Sequence, residues 1–173
     1  AENVLKETHG RIVLSFAQSK QFLATYFTLF PELIDMHAAI ELRVARDRCL
    51  RNLFGYVRRF EQAITDSYIR DAISWIPAST VACITHHAVI ETQAYIESTK
   101  RDWNILSNKH DSYMCEVPAD EAPVAAAHMT AALTPTLVGW DGLPFQMGSE
   151  ASVGYNWGKA TAENPNGLKE IGT

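Results

Sequence analysis

Ile105-Leu106-Ser107-Asn108-Lys109-His110-Asp111-Ser112-Tyr113-Met114-Cys115-Glu116-Val117-Pro118 reads as two short apolar strands folded about a polar tip, His110-Asp111-Ser112. The strands are expected over Trp103 to Asn108 and Tyr113 to Val117. A carboxylate on so tight a hairpin is held by the ladder on both sides. It can face a divalent cation and an incoming phosphate with little side-chain freedom left to lose. The same residues also make an ordinary solvated turn, because Asp and Ser favour turns.

On the C-terminal side, Pro118-Ala119-Asp120-Glu121 places an early proline and acids before an Ala-rich run, a helix start expected to reach Ala132 or Leu133. Residues 134–144 carry two prolines and two glycines and read as a loop, residues 145–153 as a strand, and residues from Ala160 on as a frayed tail. On the N-terminal side, apolar residues from Phe22 to Val44 recur at steps of three and four. They predict a long amphipathic helix over Ser19 to Arg48, divided in two at Pro31. Leu53-Phe54-Gly55 is a glycine turn, and Arg58-Arg59-Phe60 leads into an exposed connector. A second helical stretch runs from Thr65 towards Thr99 and is expected to be interrupted at Pro77. The fold class is α+β: a small antiparallel sheet with its hairpin, backed by long helices.

At 173 residues the chain has the length of one domain able to bury a substantial core, and its apolar content of 47% is ordinary for a globular protein. No run approaches the roughly eighteen consecutive apolar residues of a membrane span, and no secretory signal is visible, so the expectation is a soluble, cytoplasmic protein with no membrane partner. The first residue is Ala, which suggests a processed or trimmed start. Cys49, Cys83 and Cys115 are far apart and read as reduced, mostly buried thiols. The formal charge of −5 runs against phosphate binding, yet Arg43, Arg46, Arg48, Arg51, Arg58, Arg59 and Arg70 concentrate basic charge in mid-chain. They read either as a grip on a nucleic-acid backbone or as a solvated face.

With its neighbours, the hairpin resembles the third palm motif of family A DNA polymerases, the group of bacterial DNA polymerase I and many bacteriophage replicases. That motif is a strand, His-Asp-Glu or His-Asp-Ser, then a strand ending in Glu-Val-Pro. Tyr26-Phe27-Thr28-Leu29-Phe30-Pro31 is similar to the family's Tyr-Phe-x-x-Phe-Pro helix segment, and Arg51-Asn52-Leu53-Phe54-Gly55 with Arg58-Arg59-Phe60 to its Thr-Leu-Phe-Gly-Arg-Arg turn. Arg70 followed by Trp75-Ile76-Pro77-Ala78-Ser79-Thr80-Val81-Ala82 resembles the long palm helix. Leu143-Pro144 and Val153-Gly154-Tyr155-Asn156-Trp157-Gly158 resemble the closing strand and its Gly-x-Asn-Trp terminus. Five segments lie in the family order over residues 20–160.

The resemblance implies residues 1–60 as a helical segment joining fingers to palm, 61–160 as the palm with its catalytic hairpin, and 161–173 as a flexible tail. It implies a polymerase of bacteriophage type, acting in the host cytoplasm if viral, on primer-template DNA and a dNTP. Two Mg2+ ions about 4 Å apart serve such a reaction, and at least two carboxylates hold them. By resemblance Asp111 is a catalytic, metal-binding carboxylate, His110 lies near the primer terminus, and Lys109 adds positive charge there. Arg70, Arg58, Arg59 and Ser74 are the implied DNA contacts. Ser112 stands where many relatives have Glu, and Ser74 and Ala78 stand where the family has a minor-groove Asn and Gln.

The second metal-binding Asp is missing. The run Asp35-Met36-His37-Ala38-Ala39-Ile40-Glu41-Leu42-Arg43 imitates its motif but is one residue out of register, helical in pattern, and out of order. The triphosphate-binding Arg-x-x-x-Lys helix is also absent. The implied chain is therefore the C-terminal part of a split polymerase, inactive alone. Its partner is another polymerase chain carrying the fingers, the N-terminal palm and the thumb, joined across a large apolar interface. Two other readings stand beside this one: a non-catalytic DNA-binding or structural remnant of a polymerase, and a metal-carboxylate helical protein built on the His37/Glu41 and His87/Glu91 pairs.

Overall fold

A computed structural model of the chain describes residues 6, 8–9 and 11–171. The order of elements is α1 (Phe16–Leu29), α2 (Glu32–Asp47), β1 (Cys49–Arg51), β2 (Val57–Arg59), α3 (Asp66–Thr99), β3 (Asn104–Lys109), β4 (Ser112–Glu116), α4 (Ala122–Leu133), β5 (Leu137–Val138), β6 (Pro144–Phe145), β7 (Ala151–Val153) and β8 (Lys169–Ile171). The strands pair as four two-stranded sheets, β1-β2, β3-β4, β5-β6 and β7-β8. The fold class is α+β. The described residues form two compact units, one of those up to residue 50 with 58–73 and one of 51–57 with 74–171.

In the first unit, Ser15 caps α1 with a reciprocal box: its hydroxyl accepts from the Gln18 amide while the Gln18 side chain accepts from the Ser15 amide. Pro31 ends the helical run as expected and stands as N-cap of α2, whose first turn carries Glu32 and Asp35. The Asp35 to Arg43 run is helix throughout, which removes it as a strand motif. Among the described residues of this unit, Ile40, Val44, Leu50, Phe60 and Ala72 are buried. Residues 58–73 belong to the same unit. Phe60 is fully buried, its amide donates to the Arg48 carbonyl at 2.8 Å, and its ring meets Tyr68 edge-on at 5.4 Å.

Helix α3 begins after Thr65, whose hydroxyl accepts from the Tyr68 amide, and continues without interruption to Thr99. Pro77 was expected to interrupt it and does not. An interior proline removes a hydrogen bond and crowds the preceding turn. Against that cost, a buried stripe of Ala72, Ile76, Thr80, Ile84, Ala88, Thr92 and Ile96 recurs every four residues on both sides of it. Helix α3 is long and apolar enough to cross a membrane by length and composition alone. That stripe instead lies within the protein.

In the second unit, buried Asn52 organises the glycine turn. Its side-chain oxygen accepts from the Phe54 and Tyr56 amides at 3.0 Å, and its side-chain nitrogen donates to Ser79 and Cys83 on α3. Gly55 closes the turn at φ +85°, a backbone state that costs other residues most. Helix α4 ends at Leu133 as expected, but its N-cap Glu121 makes no side-chain cap bond. Part of the expected loop 134–144 is the small β5-β6 hairpin, and the expected strand over 145–153 is confined to Ala151–Val153 and the Phe145 end of β6.

Residues 161–171, expected as a frayed tail, carry β8, which pairs Ala151, Ser152 and Val153 with Ile171, Glu170 and Lys169. Asn156 and Asn164 exchange side-chain hydrogen bonds at 2.9 Å and hold this return. A Cβ at Gly154 would lie 2.6 Å from the Gly167 backbone, so only glycine allows the approach.

Candidate active site

Strands β3 and β4 pair Lys109 with Ser112, so the loop between them is the two residues His110 and Asp111. The expected strand limits shift by about one residue at each end. His110 has φ +56°, an uncommon state for a non-glycine residue. The Ser112 hydroxyl donates to the Lys109 carbonyl at 3.0 Å and closes the neck of the loop. Lys109, His110, Asp111 and Ser112 are all exposed. The carboxylate thus stands at the outermost point of a short, pinned turn.

Two clusters fix the hairpin from below. Tyr113 of β4 packs with Ala88 of α3 and Ala132 of α4, and Trp103 packs with Ile96 and Ala125. The Tyr113 hydroxyl lies 2.8 Å from that of Thr92, a fully buried residue of α3. Burial pushes the Tyr113 phenol above its ordinary pKa, opposed by the Thr92 hydrogen bond. At the far end of the hairpin, one Glu121 carboxylate oxygen accepts from Arg101 at 2.6 Å and from the Trp103 indole at 2.5 Å. These bonds, Arg101 first, hold the Glu121 carboxyl below the usual range. Glu121 therefore serves the strand entrance rather than the start of α4.

Asp111 also lines a broad cavity of about 1420 Å³. It lies in the second unit, bordered by β4, by one face of α4 and by the chain from Met147 to Trp157. Tyr155 and Trp157, exposed on the Asn156 turn, line it too; the Gly-x-Asn-Trp motif was legible in the sequence, but its place on this cavity was not. Among the described residues no group of three or more His, Cys, Asp or Glu side chains could share a metal ion. Asp111 is the carboxylate at the tip, and Glu116 and Glu150 line the same cavity.

The other residues singled out from sequence fall in both units. Arg58 and Arg59 lie on β2 and Arg70 on α3, all in the first unit; Arg58 sits over the Phe60 ring at 4.9 Å, and Arg59 and Arg70 are exposed. Ser74 and Ala78, one turn apart on α3, are exposed in the second unit. His87 lies edge-on to Phe54 at 4.9 Å and His37 to Phe27 at 6.0 Å, so each imidazole has an aromatic partner.

A hairpin carrying an exposed aspartate, backed by a long helix and flanked by a short helix and a closing strand, defines the class of fold. No protein-family model matches the sequence, and no curated protein does. Among solved structures, the chain is similar to the POL domain of Pol1 from M. smegmatis, determined in complex with DNA primer-template and dNTP, with a TM-score of 0.60 and 20% identity. The likeness covers 69% of this chain and 23% of that one, so this chain spans about a quarter of the polymerase chain it resembles. At that identity, what the two share is the fold.

Proposed function

We propose that the chain is the C-terminal palm portion of a family A DNA-directed DNA polymerase, working in template-directed nucleotidyl transfer. The observation that carries this reading is Asp111, exposed at the tip of a two-residue hairpin on a cavity, in a chain whose fold is that of a polymerase domain. Asp111 would hold magnesium together with a carboxylate from a second chain; the ions would neutralise charge developing on the attacking 3′ oxygen and the departing pyrophosphate. His110 and Lys109 on the same tip would face the primer end, while Arg58, Arg59, Arg70 and Ser74 would touch the DNA. That no three His, Cys, Asp or Glu side chains gather among the described residues supports the view that the site is shared.

The test is to recover the chain from its native source, identify what copurifies, and assay the mixture on a primed template with magnesium. Extension by the mixture and none by the chain alone is expected. Extension by the chain alone would refute the shared site, and none by either would refute the polymerase reading.

A further inference from the structure

Tyr155 and Trp157 flank Asn156 in the second unit, and both rings face solvent, Tyr155 at 82% and Trp157 at 58% exposure. Other aromatic residues of this unit are partnered: Phe54 meets His87, and Tyr95 meets Trp103 and His128. Among the described residues Tyr155 and Trp157 meet no other ring and no cation. Their backbone is nevertheless fixed. The Tyr155 amide donates to the Asn166 carbonyl at 2.8 Å, the Gly158 amide to the Asn156 side chain at 3.0 Å, and the Leu168 amide to the Gly158 carbonyl at 2.7 Å. A pinned turn that displays two bare rings loses little freedom when a flat ligand settles on them.

Charge at the same turn narrows the ligand. From His110 to Thr173 the sequence has eight acids and two residues of Lys or Arg type, and those two are Lys159 and Lys169. Lys159 lies two residues after Trp157, and Lys169 lines the cavity with both rings. An isolated bridge pairs Lys159 with Leu168, so Lys169 follows directly on the residue opposite Lys159. Both lysines are exposed, and among the described residues neither has an ion-pair partner. Asp111, Glu116 and Glu150 line the cavity too and repel phosphate, so a bound polyanion would keep its charges at the lysines.

We propose that Tyr155 and Trp157 form a stacking platform for unpaired bases of single-stranded DNA, with Lys159 and Lys169 holding the flanking phosphates. The choice of DNA rests on the polymerase reading of Asp111. The choice of a single strand does not. In a duplex the faces of each base are covered by its neighbours, whereas every unpaired base offers a free π face whatever its identity. An apolar peptide would cover the rings and leave both lysines unused. A nucleotide chain carries flat rings and anions in regular alternation, which matches two rings set between two cations.

The probes are a dye-labelled oligomer of twelve thymidylates and a chain of the same twelve phosphates without bases, each titrated into the full chain at low salt, with no magnesium and no partner. The thymidylate oligomer should bind about tenfold more tightly than the baseless one. Tyr155→Ala combined with Trp157→Ala should erase that difference at an unchanged circular dichroism spectrum. If that variant misfolds, Trp157→Phe decides: it should keep most of the affinity and lose most of the fluorescence quenching that bound bases cause. Lys159→Gln combined with Lys169→Gln should flatten the dependence of log affinity on log salt by about 1.4, from two phosphates at about 0.7 each. Equal binding of the two oligomers, binding of neither, or a base preference that survives loss of both rings overturns the proposal. Quenching unchanged in Trp157→Phe overturns it as well. A chain that stacks the thymidylates while its native mixture fails to extend a primer keeps the platform and loses the polymerase reading; extension without ring-dependent binding does the opposite.

Discussion

Replacing Tyr113 with Phe removes one hydroxyl from beneath the hairpin and leaves the Thr92 hydroxyl, fully buried, without the partner it has at 2.8 Å. Stranding a buried hydroxyl costs about 1–3 kcal/mol. Thr92→Val strands the Tyr113 hydroxyl instead, on a residue 8% exposed, so its cost belongs in the lower half of that range. Valine keeps the branched shape of threonine, and phenylalanine the ring of tyrosine. The double variant therefore leaves nothing unpaired, and it should lose about 1–3 kcal/mol less than the two single losses added together. Urea unfolding with a common slope measures all four corners of the cycle. Costs that add within about 0.5 kcal/mol would refute the argument that this bond anchors β4, and with it Asp111, to α3. A pH titration checks the burial of the same phenol. The Tyr113 phenol is raised in the folded state, so its contribution is complete below the ordinary tyrosine range near pH 10 and is lost as pH rises through the higher folded value. Tyr113→Phe should lack that alkaline loss.

Three further outcomes follow from the same geometry. Glu121 is held below the usual carboxyl range by Arg101 and Trp103, so its contribution is present above that range and lost as pH falls through the lower folded value. Acid titration should shift Trp103 fluorescence in wild type, and Glu121→Gln should remove that shift. His110→Gly relieves the left-handed backbone at φ +56° and should raise stability by roughly 0.5–1 kcal/mol in urea unfolding, net of glycine's greater freedom when unfolded. Pro77→Ala restores an amide donor in the middle of an exposed helical turn and should stabilise by about 1–3 kcal/mol; a loss of stability would mean that α3 needs its proline.

The hairpin was legible because its tip is polar, its strands are apolar and Pro118 closes it, three local signals that agree. The break at Pro31 was legible because a proline inside a helical pattern lacks the amide that the helix needs. Pro77 misled because the local rule against interior proline met a buried stripe that extends well beyond it on both sides, and packing outweighs propensity over such a length. The return of β8 was hidden because its signals, Asn164, Asn166 and Gly167, read equally as loop residues. Their meaning depends on Gly154 and Asn156, which lie across the turn. Asp111 could be singled out from sequence, but the cavity beside it could not: its lining is drawn from segments scattered between Val81 and Lys169.

The central claim is that the Asp111 carboxylate acts in nucleotidyl transfer. The measurement that tests it most directly compares wild type with Asp111→Ala in the reconstituted assembly, following primer extension with magnesium and duplex binding in the same samples. The account predicts that extension is abolished while DNA binding stays within about twofold, since one exposed tip carboxylate adds nothing to the grip on phosphate. Extension that survives the substitution would contradict it.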